Sequence, residues 1–201
     1  MPSPFDVNWQ NQSVEGKIVI ALERLAEAFR VLAWEVSKES GLSPIQIQIL
    51  IFCLFHEQRM ATVSMLAEEF HLTKATISES VRVLESRQLI TKKTQKEDQR
   101  SYHIVLTARG RKLAGKASEF ANAIVQAAAH LSKPAKEYVL DGLLHMIYDL
   151  QQQGLIHPQR MCRNCRFYTT QKQQPYCALL QKILHVADLR IDCPEFQPVH
   201  S

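Results

Sequence analysis

Four of the five cysteines in this 201-residue chain lie close together near its C-terminal end. Cys162 and Cys165 form a Cys-x2-Cys pair, and Cys177 and Cys193 follow after eleven and fifteen intervening residues. A tight turn between two nearby cysteines can aim both sulfurs at one centre, and two more distant thiolates complete a set of four ligands. The segment is also too short to build a core of its own. The spacing therefore predicts a metal centre bound by Cys162, Cys165, Cys177 and Cys193.

The identity of the centre stays open at this point. Four thiolates suit a tetrahedral zinc ion. The dipeptide Cys193-Pro194 is equally typical of segments that bind an iron–sulfur cluster, and the aromatic residues Phe167, Tyr168 and Phe196 would shield a cluster from water. Both a zinc ion and a 4Fe-4S cluster fit the pattern.

The N-terminus favours a cytoplasmic protein, because it lacks a basic start followed by an apolar signal stretch. No apolar run approaches the ~18 residues that would span a bilayer, so we expect no membrane association. Disulfides are disfavoured in the cytoplasm, which favours metal binding by the four thiols. We expect His157 and His185 to lie at the surface or in packing contacts, and the lone Cys53 to be a core residue.

The elements ahead of the cysteines are mainly helical. Apolar residues recur at three- and four-residue steps over residues 14–40, and Gly41 supplies a stop. Ser43-Pro44 begins a buried helix over residues 45–56. Thr107 and Ser132 each begin a further helix, ending near residues 131 and 154. Residues 1–13 read as a loosely ordered arm.

Two short helices, residues 63–71 and 73–87, form a helix-turn-helix pattern. The second has an apolar back and a polar outer face, as a helix needs when it enters the major groove of DNA. Glu79 lies on that face, and we expect it to pair with Arg82. The candidates for groove or phosphate contact on this helix are Thr73, Lys74, Thr76, Ser78 and Arg82.

A predicted β-hairpin follows, with strands at residues 89–93 and 101–106, and it carries much of the positive charge. The chain has a net charge of +4, whereas residues 87–112 hold eight basic and two acidic residues, a local charge of +6. Cations that project from a hairpin suit phosphate binding. Lys92, Lys96 and Arg100 are the candidates, and Asp98 is expected to brace the loop by pairing with Arg100.

Several of these segments resemble the MarR family of winged helix-turn-helix transcriptional regulators. They are Leu66-Ala67-Glu68, Thr73 to Ser78, Leu84 to Ile90, Asp98-x-Arg100 and Leu106-Thr107-x-x-Gly110. The sequence departs from the family at Gln88, where a turn glycine is common, and at Glu79. The resemblance covers residues 14–152 and implies a homodimer that binds double-stranded DNA at pseudo-palindromic operators, with an interface formed by residues 14–40 and 107–152.

The resulting expectation is a mainly α protein with a small β-hairpin wing, dimerised through its N- and C-terminal helices. Its domains are an arm (1–13), a winged-helix domain (14–153) and a cysteine-rich module (154–201). The module also resembles small high-potential iron–sulfur domains over about forty residues. We expect a DNA-binding regulator, open to redox, metal or small-molecule control, and not an enzyme. The alternative is a protein-interaction module with a structural metal site and no DNA binding.

Overall fold

The computed structural model describes residues 2–94 and 102–199, and its contacts divide the chain into two compact units, Met1–Ala123 and Ile124–Ser201. The described residues form eight α-helices and two small antiparallel sheets. The helices are α1 (Val7–Gln12), α2 (Val14–Ser40), α3 (Pro44–Phe55), α4 (Val63–Glu69), α5 (Lys74–Ser86), α6 (Ala108–Ser118), α7 (Asn122–Ala129) and α8 (Lys133–Gln152). The strands are β1 (Ile90–Thr94), β2 (Tyr102–Leu106), β3 (Tyr168–Gln171), β4 (Gln174–Cys177) and β5 (Lys182–Ile183).

Side-chain caps fix where the helices begin. Ser43 and Gln46 form a capping box at the start of α3, where Pro44 lacks an N–H that would have no helical partner. The hydroxyls of Thr62, Thr73, Thr107 and Ser132 accept from backbone N–H groups of α4, α5, α6 and α8. Gly41 ends α2 in the left-handed conformation with φ of 65°. These starts agree with the sequence-based predictions to within one or two residues.

The core of the first unit lies where α3, α4, α5 and the wing meet. Its fully buried side chains include Ile49, Leu50, Leu66, Ile77 and Leu84. Cys53 packs against this core, and burial raises the pKa of its thiol to about 12. Strands β1 and β2 pair from Ile90 opposite Leu106 to Thr94 opposite Tyr102. The winged helix-turn-helix is therefore present as the sequence predicted.

The second unit contains α8 and a three-stranded sheet in the order β3-β4-β5. The sequence analysis did not predict this sheet. Strands β3 and β4 are joined by Lys172 and Gln173, which both have positive φ values, 50° and 62°. Such a two-residue turn normally carries glycine or asparagine, so Lys172 and Gln173 do not indicate a hairpin.

Two further details differ from expectation. The arm is not loose throughout, because Asp6 caps helix α1 and accepts from Asn8 N at 2.9 Å. The single helix expected from Thr107 to about residue 131 is interrupted by a 3₁₀ turn at Glu119–Ala121. Across the described ranges, every helix is too short or too polar to cross a bilayer.

Candidate nucleic-acid interface and cysteine pocket

Helix α5 presents a polar face on a rigid apolar back. Ile77, Val81 and Leu84 are fully buried, at the spacing of one helical stripe. Thr73 caps the helix by accepting from Thr76 N at 3.1 Å, and the two hydroxyls of this pair lie 2.9 Å apart. The exposed residues are Thr73, Lys74, Thr76, Ser78, Glu79 and Arg82. All the positions predicted to face DNA from this helix therefore lie on its solvent side.

Glu79 and Arg82 form the expected ion pair, with 2.8 Å between Oε1 and the guanidinium nitrogen. The hydrogen bond from Arg82 lowers the pKa of Glu79 below its ordinary value. An exposed pair one helical turn apart contributes only a few tenths of a kcal/mol, about 0.3 to 0.5. It does, however, hold the Arg82 side chain in one orientation on the exposed face.

Lys92 does not project freely from the wing. Its Nζ lies 2.6 Å from Glu85 Oε2 and 5.0 Å from the centre of the Tyr102 ring. The Glu85 carboxylate raises the pKa of Lys92 above its ordinary value. These contacts tie strand β1 to the end of α5, so Lys92 braces the wing against the recognition helix. Lys96, Asp98 and Arg100 lie outside the described residues.

Sequence reasoning placed Thr107 and Gly110 in the family signature but missed their structural role. The Thr107 hydroxyl donates to Leu89 O at 3.1 Å and to Gln88 O at 2.9 Å, and it accepts from Gly110 N at 3.0 Å. A Cβ on Gly110 would lie 1.9 Å from Leu89 O. The start of α6 thus packs directly on the backbone that links α5 to the wing.

Ile104 makes a second attachment for the wing. Its backbone N–H donates to Ala61 O at 2.8 Å, just before α4 begins. The wing is consequently fixed to both helices of the helix-turn-helix. Neither contact could be read from local sequence, because the partners lie more than fifteen residues apart.

The four predicted ligand cysteines line one open pocket in the second unit. All four are free thiols. Most of the other lining residues are apolar or aromatic, namely Phe167, Tyr168, Leu179, Leu180 and Leu184. Three charged residues complete the lining: Asp188, Arg190 and Glu195. His157 and His185 are both exposed, as expected, and neither is among the described residues that line the pocket.

Two groups of Arg190 reach the cysteine sulfurs. Its backbone N–H donates to Cys162 Sγ at 3.2 Å, and its guanidinium donates to Cys193 Sγ at 3.4 Å. Burial raises the pKa of the Cys162 thiol, the Arg190 N–H opposes that shift, and the other three thiols add to it electrostatically.

The thiols do not converge on a single point. Across residues 2–94 and 102–199, no group of three or more His, Cys, Asp or Glu side chains is arranged to hold one metal ion. The cysteines line one pocket, with Cys162 and Cys165 in a tight turn, Cys177 at the end of β4 and Cys193 before Pro194.

The loop of the Cys-x2-Cys pair is attached to α8 within the same unit. Arg163 lies 3.6 Å from Asp141 Oδ1 and 3.4 Å from His145 Nδ1. Asn164 donates to the Gln151 side chain at 2.5 Å. Gln151 is buried, and its amide lies 3.5 Å from Met161 Sδ. Two residues between the cysteines are thus fixed to the last helix.

The winged-helix segment matches a known family. Residues 40–101 match the model of the MarR family. None of the curated proteins compared with the chain matches it.

Solved structures give the same fold. The MepR–DNA complex from S. aureus is 24% identical with a TM-score of 0.56, and the match covers 66% of this chain and 96% of that one. MepR from S. aureus in its DNA-binding conformation is 23% identical with a TM-score of 0.59, and the match covers 67% of this chain and 98% of that one. FabT from Streptococcus pneumoniae in complex with DNA is 22% identical with a TM-score of 0.56, and the match covers 68% of this chain and 99% of that one.

These likenesses show that the chain has a MarR-type winged-helix fold. Each solved chain is covered almost completely, whereas about a third of this chain lies outside each match. The family model ends at residue 101, well before the cysteine pocket.

Proposed function

We propose that this protein is a sequence-specific DNA-binding transcriptional regulator that acts as a homodimer on a pseudo-palindromic operator. The observation that carries the proposal is the exposed polar face of α5, held in a fold whose solved neighbours include two complexes with DNA. MarR-family proteins are regulators of transcription, which agrees with the expectation that this chain is not an enzyme. A DNA partner and free thiols both fit a cytoplasmic protein.

Lys74 supports the assignment of α5 as the recognition helix. It is exposed at the first position of the helix, where the helix dipole disfavours a cation, and the first turn contains no acidic residue. A cation at this position lowers the stability of the helix. That cost is explained if Lys74 and the N-terminal end of the helix bind a phosphate or the acceptor atoms of a base. Thr76, Ser78 and Arg82 extend the contact surface along the same face.

The proposed wing contacts fall to Lys96 and Arg100, with Asp98 bracing the loop between the strands. Lys92 is also proposed to contact DNA from the wing, and its ammonium group is at the same time paired with Glu85. A wing tied to α5 in this way holds strand β1 at a fixed distance from the recognition helix. Both elements would then meet the same stretch of DNA.

The homodimer is supported by apolar faces on two helices, each within its own unit. On α2, Leu25 is 52% exposed and Trp34 is 54% exposed. On α8, Tyr138 is 80% exposed and Val139 is 50% exposed. Exposed apolar surface on a helix marks a candidate interaction site in a soluble protein, and a second copy of the chain is the occupant that a pseudo-palindromic operator requires.

Dimerisation can be tested by sedimentation equilibrium of the Leu25→Glu variant. We expect the wild-type chain to sediment as a dimer and the variant to shift toward a monomer, because a carboxylate would be buried in the interface. Arg24→Gln, a change at the neighbouring exposed position, should remain a dimer. A monomeric wild-type chain would contradict this part of the proposal.

DNA binding can be tested by fluorescence anisotropy with a labelled duplex over a range of salt concentrations. A dimer carries two copies of Lys74, so Lys74→Ala should reduce the salt slope by about 2 and weaken binding several-fold. The matched control is Lys17→Ala, which removes the same charge from an exposed position on α2. If the wild-type chain fails to bind DNA at low salt, the alternative of a protein-interaction module is favoured.

We also propose that the four cysteines bind a metal centre and that its state reaches the DNA-reading unit through α8. The support is the attachment of the Cys162–Cys165 turn to Asp141 and Gln151, both on α8. Loss or oxidation of the centre would release this turn and alter a helix of the proposed dimer interface. A small-molecule effector is a further route of control, and no described feature identifies one.

A further inference from the structure

The buried side of α5 fixes which of its residues point straight out of the molecule. Ile77, Val81 and Leu84 are fully buried. One residue turns an α-helix by about 100°, so a side chain two positions from a buried one points almost directly away from it. Glu79 lies two positions from both Ile77 and Val81, and Arg82 lies two positions before Leu84. Glu79 and Arg82 therefore project away from the apolar back, and their side chains are 58% and 74% exposed.

A carboxylate at this position meets mostly repulsive groups if α5 enters the major groove of DNA. The phosphates are negative, and N7 and O6 of guanine, N7 of adenine and O4 of thymine are all hydrogen-bond acceptors. The donors in the groove are the amino groups of adenine N6 and cytosine N4. Adenine places its amino group beside its own acceptor N7, whereas cytosine has no acceptor on its major-groove edge. Glu79 therefore fits cytosine better than the other bases.

Arg82 removes the charge that would otherwise keep this carboxylate away from DNA. Its guanidinium donates to Glu79 Oε1 at 2.8 Å, and this bond lowers the pKa of Glu79. At neutral pH the two side chains thus form a pair of opposite charges with no net charge. The bond uses one oxygen and one nitrogen, and the described residues make no hydrogen bond to the other oxygen or to the other guanidinium nitrogens. An acceptor and several donors remain side by side on the exposed face.

A G·C base pair presents the complementary pattern in the major groove. The N4 amino group of cytosine is a donor, and the O6 and N7 atoms of guanine are acceptors that an arginine can bind with two hydrogen bonds. We propose that Glu79 and Arg82 together read one G·C base pair in each half-site of the operator, Glu79 accepting from cytosine N4 and Arg82 donating to guanine. This inference rests on the proposed DNA-binding function, and it adds Glu79 to the residues that set the operator sequence.

The test is selection of duplexes from a randomised DNA pool with the full chain, its Glu79→Gln variant and a control. We expect the wild-type chain to require a G·C pair at one position of each half-site, with other pairs weakening binding roughly 5- to 150-fold. Glutamine binds adenine through N6 and N7. Glu79→Gln should therefore enrich an A·T pair at that position and leave the other positions unchanged.

Glu57→Gln is the matched control. Glu57 is 54% exposed and forms an ion pair with Arg59, outside α5. Its variant should select the wild-type sequence. If Glu79→Gln also selects the wild-type sequence, the inference is wrong and the proposed function stands. A wild-type chain that retains no duplex would overturn both.

A second measurement places the carboxylate independently of base preference. Arg82→Ala leaves Glu79 unpaired and facing DNA, so affinity for the selected duplex, measured by fluorescence anisotropy, should fall. Adding Glu79→Ala to this variant should recover affinity by about fivefold, the effect of one like-charge contact at about 4 Å in water. A double variant that binds no more tightly than Arg82→Ala would show that the carboxylate does not face DNA, and would overturn the inference.

Discussion

Gly110 gives the sharpest test of how the wing is held. A Cβ at this position would lie 1.9 Å from Leu89 O and 2.9 Å from Leu89 C. Ordinary contact begins near 3.4 Å, so the backbone would have to move by about 1.5 Å, the difference between 3.4 and 1.9. The same carbonyl accepts from Thr107 N at 3.0 Å and from the Thr107 hydroxyl at 3.1 Å. A movement of that size breaks both bonds.

The expected cost of Gly110→Ala follows from these contacts. Two lost hydrogen bonds cost about 2 kcal/mol, and overpacking against backbone adds roughly 1 to 3 kcal/mol. Alanine regains about 1 kcal/mol of helix propensity. The variant should therefore be destabilised by about 2 to 4 kcal/mol. The wing would also move relative to α5, so operator affinity should fall.

Gly115→Ala is the matched control, because it makes the same change in the same helix and its Cβ would meet nothing within 4 Å. It should stabilise α6 by up to about 1 kcal/mol. Urea unfolding followed by tryptophan fluorescence reports the first unit, which contains both Trp9 and Trp34. Measurements need one fixed protein concentration, since dimerisation affects apparent stability. Equal midpoints for the two variants would refute the packing described here.

Three further experiments test separate parts of the account. Gln88 has a φ of 58°, a left-handed conformation that glycine adopts without strain, so Gln88→Gly should raise the free energy of unfolding, measured in urea, by about 1 kcal/mol. Ser86→Gly within α5 should lower it by a similar amount, because glycine disfavours a helix. Cys53 should resist alkylation by iodoacetamide in the folded chain at pH 8, since burial raises its pKa to about 12; rapid labelling, measured by mass spectrometry, would show that it is exposed. Arg163→Met should leave the metal content unchanged but make DNA affinity insensitive to removal of the proposed metal centre, and Arg166→Met should retain that dependence.

Local signals in the sequence predicted most of the helical scaffold. Thr73 and Thr107 mark helix starts by a mechanism that depends only on their neighbours, and both caps are present. The pair of Glu79 and Arg82 was predicted for the same reason, since residues three apart on a helix face one another. The four cysteines could be grouped because side chains that bind one centre must share one site.

Contacts between distant segments could not be predicted. Glu85 pairs with Lys92 across the junction of a helix and a strand, a contact that no local pattern in the sequence predicts. Nothing in the Ala-rich sequence marks the 3₁₀ turn at Glu119–Ala121. The sheet in the second unit was missed because Lys172 and Gln173 are unusual residues for its tight turn.

The central claim, a homodimer that reads a pseudo-palindromic operator, is tested most directly by selecting duplexes from a randomised DNA pool with the full chain and sequencing those retained. The account predicts enrichment of an inverted repeat whose half-sites lie about 10 base pairs apart, because the two recognition helices of a symmetric dimer enter successive major grooves. Lys74→Ala should lose the enrichment, and Lys17→Ala should keep it. A retained pool with no common sequence, or with an unrepeated single site, would contradict the account.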